Sequence, residues 1–83
     1  MGVYKLRIGH RQRQALLYLS DGETRTIDEV MDHLNIPKTG AYPLLKTLRT
    51  KGYLKKNEDG HYRIISFGLE MVGQIDSEIM RRM

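Results

Sequence analysis

Cysteine is absent from the sequence, which removes disulfides, thiolate zinc ligands and cysteine nucleophiles together. A cytoplasmic setting is the expectation for a small chain without those staples. Long apolar runs are also missing: no stretch approaches the roughly 20 residues of a membrane span, and the N-terminal segment lacks the apolar centre of a signal peptide. Neither secretion nor membrane insertion is expected. There is no glycine-rich phosphate loop, since Gly68-Leu69-Glu70-Met71-Val72-Gly73 sits inside a helical pattern without a Lys-Ser/Thr partner. The histidines, His10, His33 and His61, fall on different predicted elements, with no histidine or carboxylate three or four residues further on to make a metal pair. Asp32-His33 reads as neighbours on a helix surface, and Ser20-Asp21 with His10 does not make a catalytic set. Catalysis, a metal and a cofactor are therefore not expected. Aromatic side chains are few as well, at 7%, which disfavours a platform for stacking single-stranded bases.

What is present is enough to fold. At 83 residues the chain has room for one domain, and its 40% hydrophobic and 29% charged content lies in the range of globular proteins rather than disordered ones. The net charge is +4, and its distribution says more than its sum. Residues 1–20 carry Lys5, Arg7, Arg11 and Arg13 without an acid. Residues 21–36 set Asp21, Glu23, Asp28, Glu29 and Asp32 against Arg25 alone. In 37–66, Lys38, Lys46, Arg49, Lys51, Lys55, Lys56 and Arg63 outnumber Glu58 and Asp59. The basic excess of the middle of the chain is compatible with a polyanionic partner.

The periodicity lays out a series of short elements. Tyr4, Leu6 and Ile8 alternate with Lys5 and Arg7, the period of a strand or an extended arm. From His10 to Ser20 the cluster Ala15, Leu16, Leu17 and Leu19 predicts a first helix, stopped by Ser20-Asp21-Gly22. Thr26 and Glu29 have the spacing of a capping box, which starts a second helix at about Ile27. Ile27, Val30, Met31 and Leu34 then form its apolar stripe. Asn35-Ile36-Pro37 ends it, because asparagine tolerates a left-handed cap and a residue before proline is pushed toward extended geometry.

Ala41, Leu44, Leu45 and Leu48 mark the buried side of a third helix that stops at Lys51-Gly52, leaving Thr39, Tyr42, Pro43, Lys46, Arg49 and Thr50 on its other side. Pro43 would clash one turn back if it sat deep in this helix, at about 3 kcal/mol. Either a helix start near Gly40 or a kink is expected. Two β-prone runs, Tyr53–Lys56 and His61–Ile65, flank Asn57-Glu58-Asp59-Gly60, where Asp59-Gly60 is a strong hairpin signal. Ser66 is placed to cap a last helix carrying Leu69, Val72, Ile75, Ile79 and Met83. That stripe must bury, either on the domain's own core or as the seam of a dimer.

The expected fold is α+β and mostly helical, a single winged helix-turn-helix unit over 1–83. It comprises a three-helix core, a helix-turn-helix at about 27–51, a β-hairpin wing at about 53–65 and an additional C-terminal helix at about 67–82. Two helices joined by a three- or four-residue turn place the second in a DNA major groove, whose width of about 12 Å accepts one helix. The hairpin that follows can reach neighbouring phosphates.

The run from Thr26 to Ile65 resembles the winged helix-turn-helix regulators of bacteria and archaea. It contains Thr26-Ile27-Asp28-Glu29-Val30, Leu34-Asn35-Ile36-Pro37-Lys38-Thr39, the stretch Tyr42 to Leu54, and Gly60-His61-Tyr62-Arg63-Ile64. Its most specific piece is Leu45 and Leu48 leading through Lys51-Gly52 into Tyr53-Leu54. The resemblance covers about half the chain.

It implies a regulator that binds double-stranded DNA sequence-specifically and as a homodimer. Lys38, Thr39, Gly40, Tyr42, Lys46 and Arg49 would lie on the DNA-facing side of the recognition helix, and Lys55, Lys56, His61 and Arg63 on the wing. Leu69, Val72, Ile75, Ile79 and Met83 would form the dimer seam. Thr39 and Tyr42 would reach base edges or thymine methyls, whereas the lysines would hold phosphates. Pro43 and Leu44 stand where such regulators often carry polar or basic residues, and Glu58 and Asp59 put negative charge at the wing tip. Those departures motivate an alternative, a winged-helix module for protein–protein interaction in a larger assembly.

Overall fold

The computed structural model describes residues 9–81, with side chains through residue 74. The expected N-terminal arm of Tyr4, Leu6 and Ile8 lies outside the described residues, as do Met83 and the side chains of Ile75 and Ile79. The elements follow the order α1 (His10–Leu19), α2 (Ile27–Leu34), α3 (Lys38–Thr50), β1 (Leu54–Lys56), β2 (Tyr62–Ile64) and α4 (Ser66–Arg81).

Helix α1 buries Ala15, Leu16 and Leu19 completely. Leu17, expected in the same cluster, points away from the core and is 36% exposed. Three consecutive positions and a fourth two residues on cannot all face one side of a 3.6-residue helix. The helix stops where the Ser20 hydroxyl donates to the Leu17 carbonyl at 2.7 Å and Gly22 takes φ +83°.

Helix α2 begins with the full capping box. The Glu29 N–H donates to the Thr26 hydroxyl oxygen at 3.1 Å, and the Thr26 N–H donates to the Glu29 carboxylate at 2.8 Å. Two free backbone donors at the helix start are thereby satisfied. Asn35 ends the helix in the left-handed region at φ 56°, and the Ile36 N–H donates back to Met31 at 3.0 Å. Val30 and Leu34 are buried, and Ile27 and Ile36 pack partly buried against the same core.

Helix α3 starts at Lys38, directly after Pro37, whose carbonyl accepts from Gly40 and Ala41 at 3.0 Å. A start near Gly40 is therefore not what forms, and Pro43 lies in the second turn. Its missing N–H leaves the Thr39 carbonyl without its usual helical donor. The helix nevertheless continues as one element to Thr50, held by Ala41, Leu44, Leu45 and Leu48 on the core side. Gly52 at φ +85° closes it, with the Tyr53 N–H donating to Leu48 at 3.0 Å.

Strands β1 and β2 pair antiparallel, Leu54 with Ile64, Lys55 with Arg63 and Lys56 with Tyr62. Their turn is organised by Asn57, whose side-chain oxygen accepts from Asp59 and His61 at 2.9 and 3.0 Å, while Gly60 takes φ +81°. A third extended residue joins the sheet edge. Arg25 exchanges both backbone hydrogen bonds with Tyr62, at 2.7 and 2.8 Å. Leu54, Tyr62 and Ile64 bury their side chains against the helices.

The last helix is capped one residue earlier than expected. The Leu69 N–H donates to the Ile65 carbonyl at 3.0 Å, and Ser66 is the first helical residue. Its stripe is divided: Val72 belongs to the domain's own core, whereas Leu69 is 48% exposed. Gly68 sets the approach of α4 to the hairpin. A Cβ there would overlap the Tyr53 carbonyl oxygen and stand 2.6 Å from Ile64 Cγ1.

Gly68→Ala is accordingly expected to destabilise the domain by about 1–3 kcal/mol through overpacking. Chemical denaturation reads this directly, and an unchanged midpoint would mean that α4 does not dock as described.

Candidate nucleic-acid interface

The outward side of α3 follows from its burial pattern. With Ala41, Leu44, Leu45 and Leu48 turned inward, Lys38, Thr39, Gly40, Tyr42, Pro43, Lys46, Arg49 and Thr50 are all exposed. Thr39, Pro43, Lys46 and Thr50 recur every three or four residues and so form the outermost row. Leu44, expected to weaken this surface, is not part of it, because it is buried in the core. Pro43 alone supplies the apolar departure, and Tyr42 beside it is 53% exposed.

The wing brings a second group of cations next to the first. Lys46, Arg49 and Thr50 from α3, with Leu54, Lys55 and Lys56 from β1, line an open niche of about 380 Å³. Two other sequence-predicted residues sit around it. Arg63 is exposed and directly opposite Lys55 across the hairpin, and Lys38 stands about 12 Å further along the helix axis from Lys46, eight residues at the helical rise. His61 differs from expectation, being half-buried beside the turn. Thr50, expected on the exposed side of α3 but not among the contact residues, joins the niche, four residues after Lys46.

The acids are drawn elsewhere. Among the described residues, the ion pairs gather on Arg25, which meets Asp21 at 2.6 Å and Glu29 at 3.9 Å. The Glu23 N–H, and then the Arg25 guanidinium, hold the Asp21 carboxyl below its ordinary range. The Thr26 backbone N–H does the same for Glu29, and Asp21 raises Arg25 in turn. Arg25 also lies 4.8 Å over the Tyr18 ring, against which His33 stacks at 3.8 Å. Lys51 is likewise occupied, donating to Gln12 at 3.0 Å. The cations of α3 and the wing therefore face outward with no carboxylate partner among the described residues. Glu58 and Asp59 stand at the hairpin tip, away from the niche.

Two like charges directly across a hairpin are unfavourable in isolation. The Lys55 and Arg63 pair, beside Lys46, Arg49 and Lys56, makes a positive surface that an anionic backbone would neutralise. Among the described residues no cluster of three His, Asp or Glu side chains is placed to hold a metal, and no helix is long and apolar enough to cross a membrane.

Residues 14–58 match the family model described as the IclR helix-turn-helix domain. Comparison with curated proteins returns no match. Solved structures share the fold. The MarR family protein from Bacillus stearothermophilus superposes with a TM-score of 0.83 at 16% identity, over 93% of this chain and 57% of that one. MepR of S. aureus, solved as a complex with DNA, gives 0.82 at 18% identity over 90% and 67%. The transcriptional regulator BldR from Sulfolobus solfataricus gives 0.80 at 13% identity over 94% and 59%. This chain thus spans little more than half of the first of these, and the likeness establishes a winged-helix architecture.

Lys55→Glu converts the like-charged cross-strand pair into an opposite-charged one and is expected to raise stability by about 0.2–1 kcal/mol. A thermal melt in low salt checks this; a lowered melting temperature would mean that Lys55 and Arg63 do not repel each other across the hairpin.

Proposed function

The chain belongs to the IclR helix-turn-helix domain family, and on that premise we propose that it binds double-stranded DNA as a transcriptional regulator, with α3 in the major groove and the wing on the adjacent backbone. The observation that carries this reading is the basic niche between α3 and β1, extended by Arg63 and Lys38. Lysines and arginines set along a helix and a neighbouring hairpin match the two components of such an interface. The helix reaches base edges, and the flanking cations hold phosphates and fix register. Backbone contacts dominate affinity, because few side chains on α3 are suited to bidentate base recognition.

The acting unit is proposed to be a homodimer assembled through α4. Leu69 and Phe67 support this reading, as both are about half exposed on that helix. Val72 is committed to the domain's own core, so the seam draws on the exposed side of α4. Binding to successive half-sites requires that axis to set the two recognition helices one duplex turn apart, about 34 Å. A protein-interaction role is favoured by one observation, an apolar depression of about 440 Å³ on the other flank of α3 that includes Ile36, Pro37, Pro43 and Leu44.

Fluorescence-anisotropy titration of labelled duplex decides between these uses. With roughly four to six phosphate contacts per protomer, log affinity is expected to fall with log salt at a slope of about −4 to −5 for each protomer bound. The charge reversals Lys46→Glu and Arg63→Glu are each expected to weaken binding at least tenfold at low salt. Duplex binding that is weak and indifferent to salt in the unaltered chain would overturn the DNA reading in favour of the protein-interaction one.

A further inference from the structure

Resting on the DNA-binding reading above, we propose that α3 reads sequence chiefly through thymine methyl groups, which an exposed ridge of Thr39, Tyr42 and Pro43 contacts in the major groove.

The composition of α3 narrows the possibilities first. Its thirteen residues, Lys38–Thr50, include no Asn, Gln, Asp or Glu. The side chains that pair bidentately with adenine, and the carboxylates that accept from cytosine N4, are therefore missing from the recognition helix. Its single arginine, Arg49, lies toward the C-terminal end and lines the niche with Lys46, Lys55 and Lys56. That setting suits a phosphate oxygen rather than a guanine edge. Lys38, the first residue of the helix, is the remaining charged donor at its N-terminal end.

The same end is otherwise apolar in character. Thr39 and Pro43 are four residues apart in the outermost row, and Tyr42 flanks them with 53% of its surface exposed. Gly40 next to them has open space, since an added Cβ would meet nothing nearer than Pro37 Cδ at 4.0 Å. None of the proline ring, the tyrosine ring and the threonine methyl belongs to the buried core. The thymine C5-methyl is the one apolar group that base pairs present in the major groove. Cations on both sides of the ridge, Lys38 before it and Lys46 and Arg49 after it, match a duplex whose phosphates run alongside. A methyl group against such a ridge is buried at both surfaces.

The experiment compares two duplexes of equal length, alternating d(A·T) and alternating d(A·U), which differ only in that methyl group. Both are titrated with the full chain by fluorescence anisotropy at one salt concentration. The unaltered chain is expected to bind the uracil duplex at least fourfold more weakly, the equivalent of ~0.8 kcal/mol for one buried methyl. The double variant Tyr42→Ala/Pro43→Ala should lose most of this discrimination, with only the Thr39 methyl left on the ridge. Tyr42 is exposed, and alanine at position 43 restores a helical N–H, so this variant keeps the fold. Equal binding of both duplexes by the unaltered chain overturns the proposal while leaving DNA binding intact. Discrimination undiminished in the double variant overturns the assignment to Tyr42 and Pro43. Binding of neither duplex overturns the DNA reading itself.

Discussion

The paired backbone hydrogen bonds between Arg25 and Tyr62 hold the wing to the rest of the domain. Strands of three residues joined only to each other are marginal in water, and this hairpin is not left to itself. Arg25 extends its edge, while Leu54, Tyr62 and Ile64 bury the inner side. The Arg25 side chain turns the other way, over Tyr18 of α1 and toward Asp21 and Glu29. One residue thus connects the first helix, the start of the second and the wing. The basic niche is held separately, by the short link from α3 to β1 in which the Tyr53 N–H donates back to Leu48.

The same arrangement sorts the charges. Asp21 and Glu29 are engaged with backbone N–H groups and with Arg25, on the side of the molecule where the helix-turn-helix is braced. Among the described residues no carboxylate pairs with Lys46, Arg49, Lys55 or Lys56, and Lys55 faces Arg63 across the hairpin. A fold selected for stability alone would relieve such repulsion. Local conflicts of this kind concentrate where a protein meets a ligand.

Much of the architecture is legible in the sequence because its signals are local. The Thr26 and Glu29 spacing, the Asn35 cap, the Lys51-Gly52 stop and the Asp59-Gly60 turn each act within a few residues, and each appears where the pattern places it. Features set by tertiary contact are not readable in that way. The part played by Arg25 depends on a partner 37 positions away, and the close seat of Gly68 depends on Tyr53 and Ile64. Leu17 and Leu44 show the limit of reading apolar residues singly. One lies at the surface and one in the core, and only the phase of the helix against its neighbours separates them. Asn57 was hidden beside a stronger turn signal, although its side chain organises the loop. At the site, the exposed row of α3 was legible from periodicity. Its convergence with β1 around Thr50 requires the wing's position.

Gly68 gives the domain a mechanical property. With backbone pressed against side chain and carbonyl and no Cβ between them, helix and hairpin have no slack along which to slide. The first turn of α4 cannot tilt toward the hairpin without displacing Tyr53 and Ile64, so the start of this helix and the base of the wing move as one body.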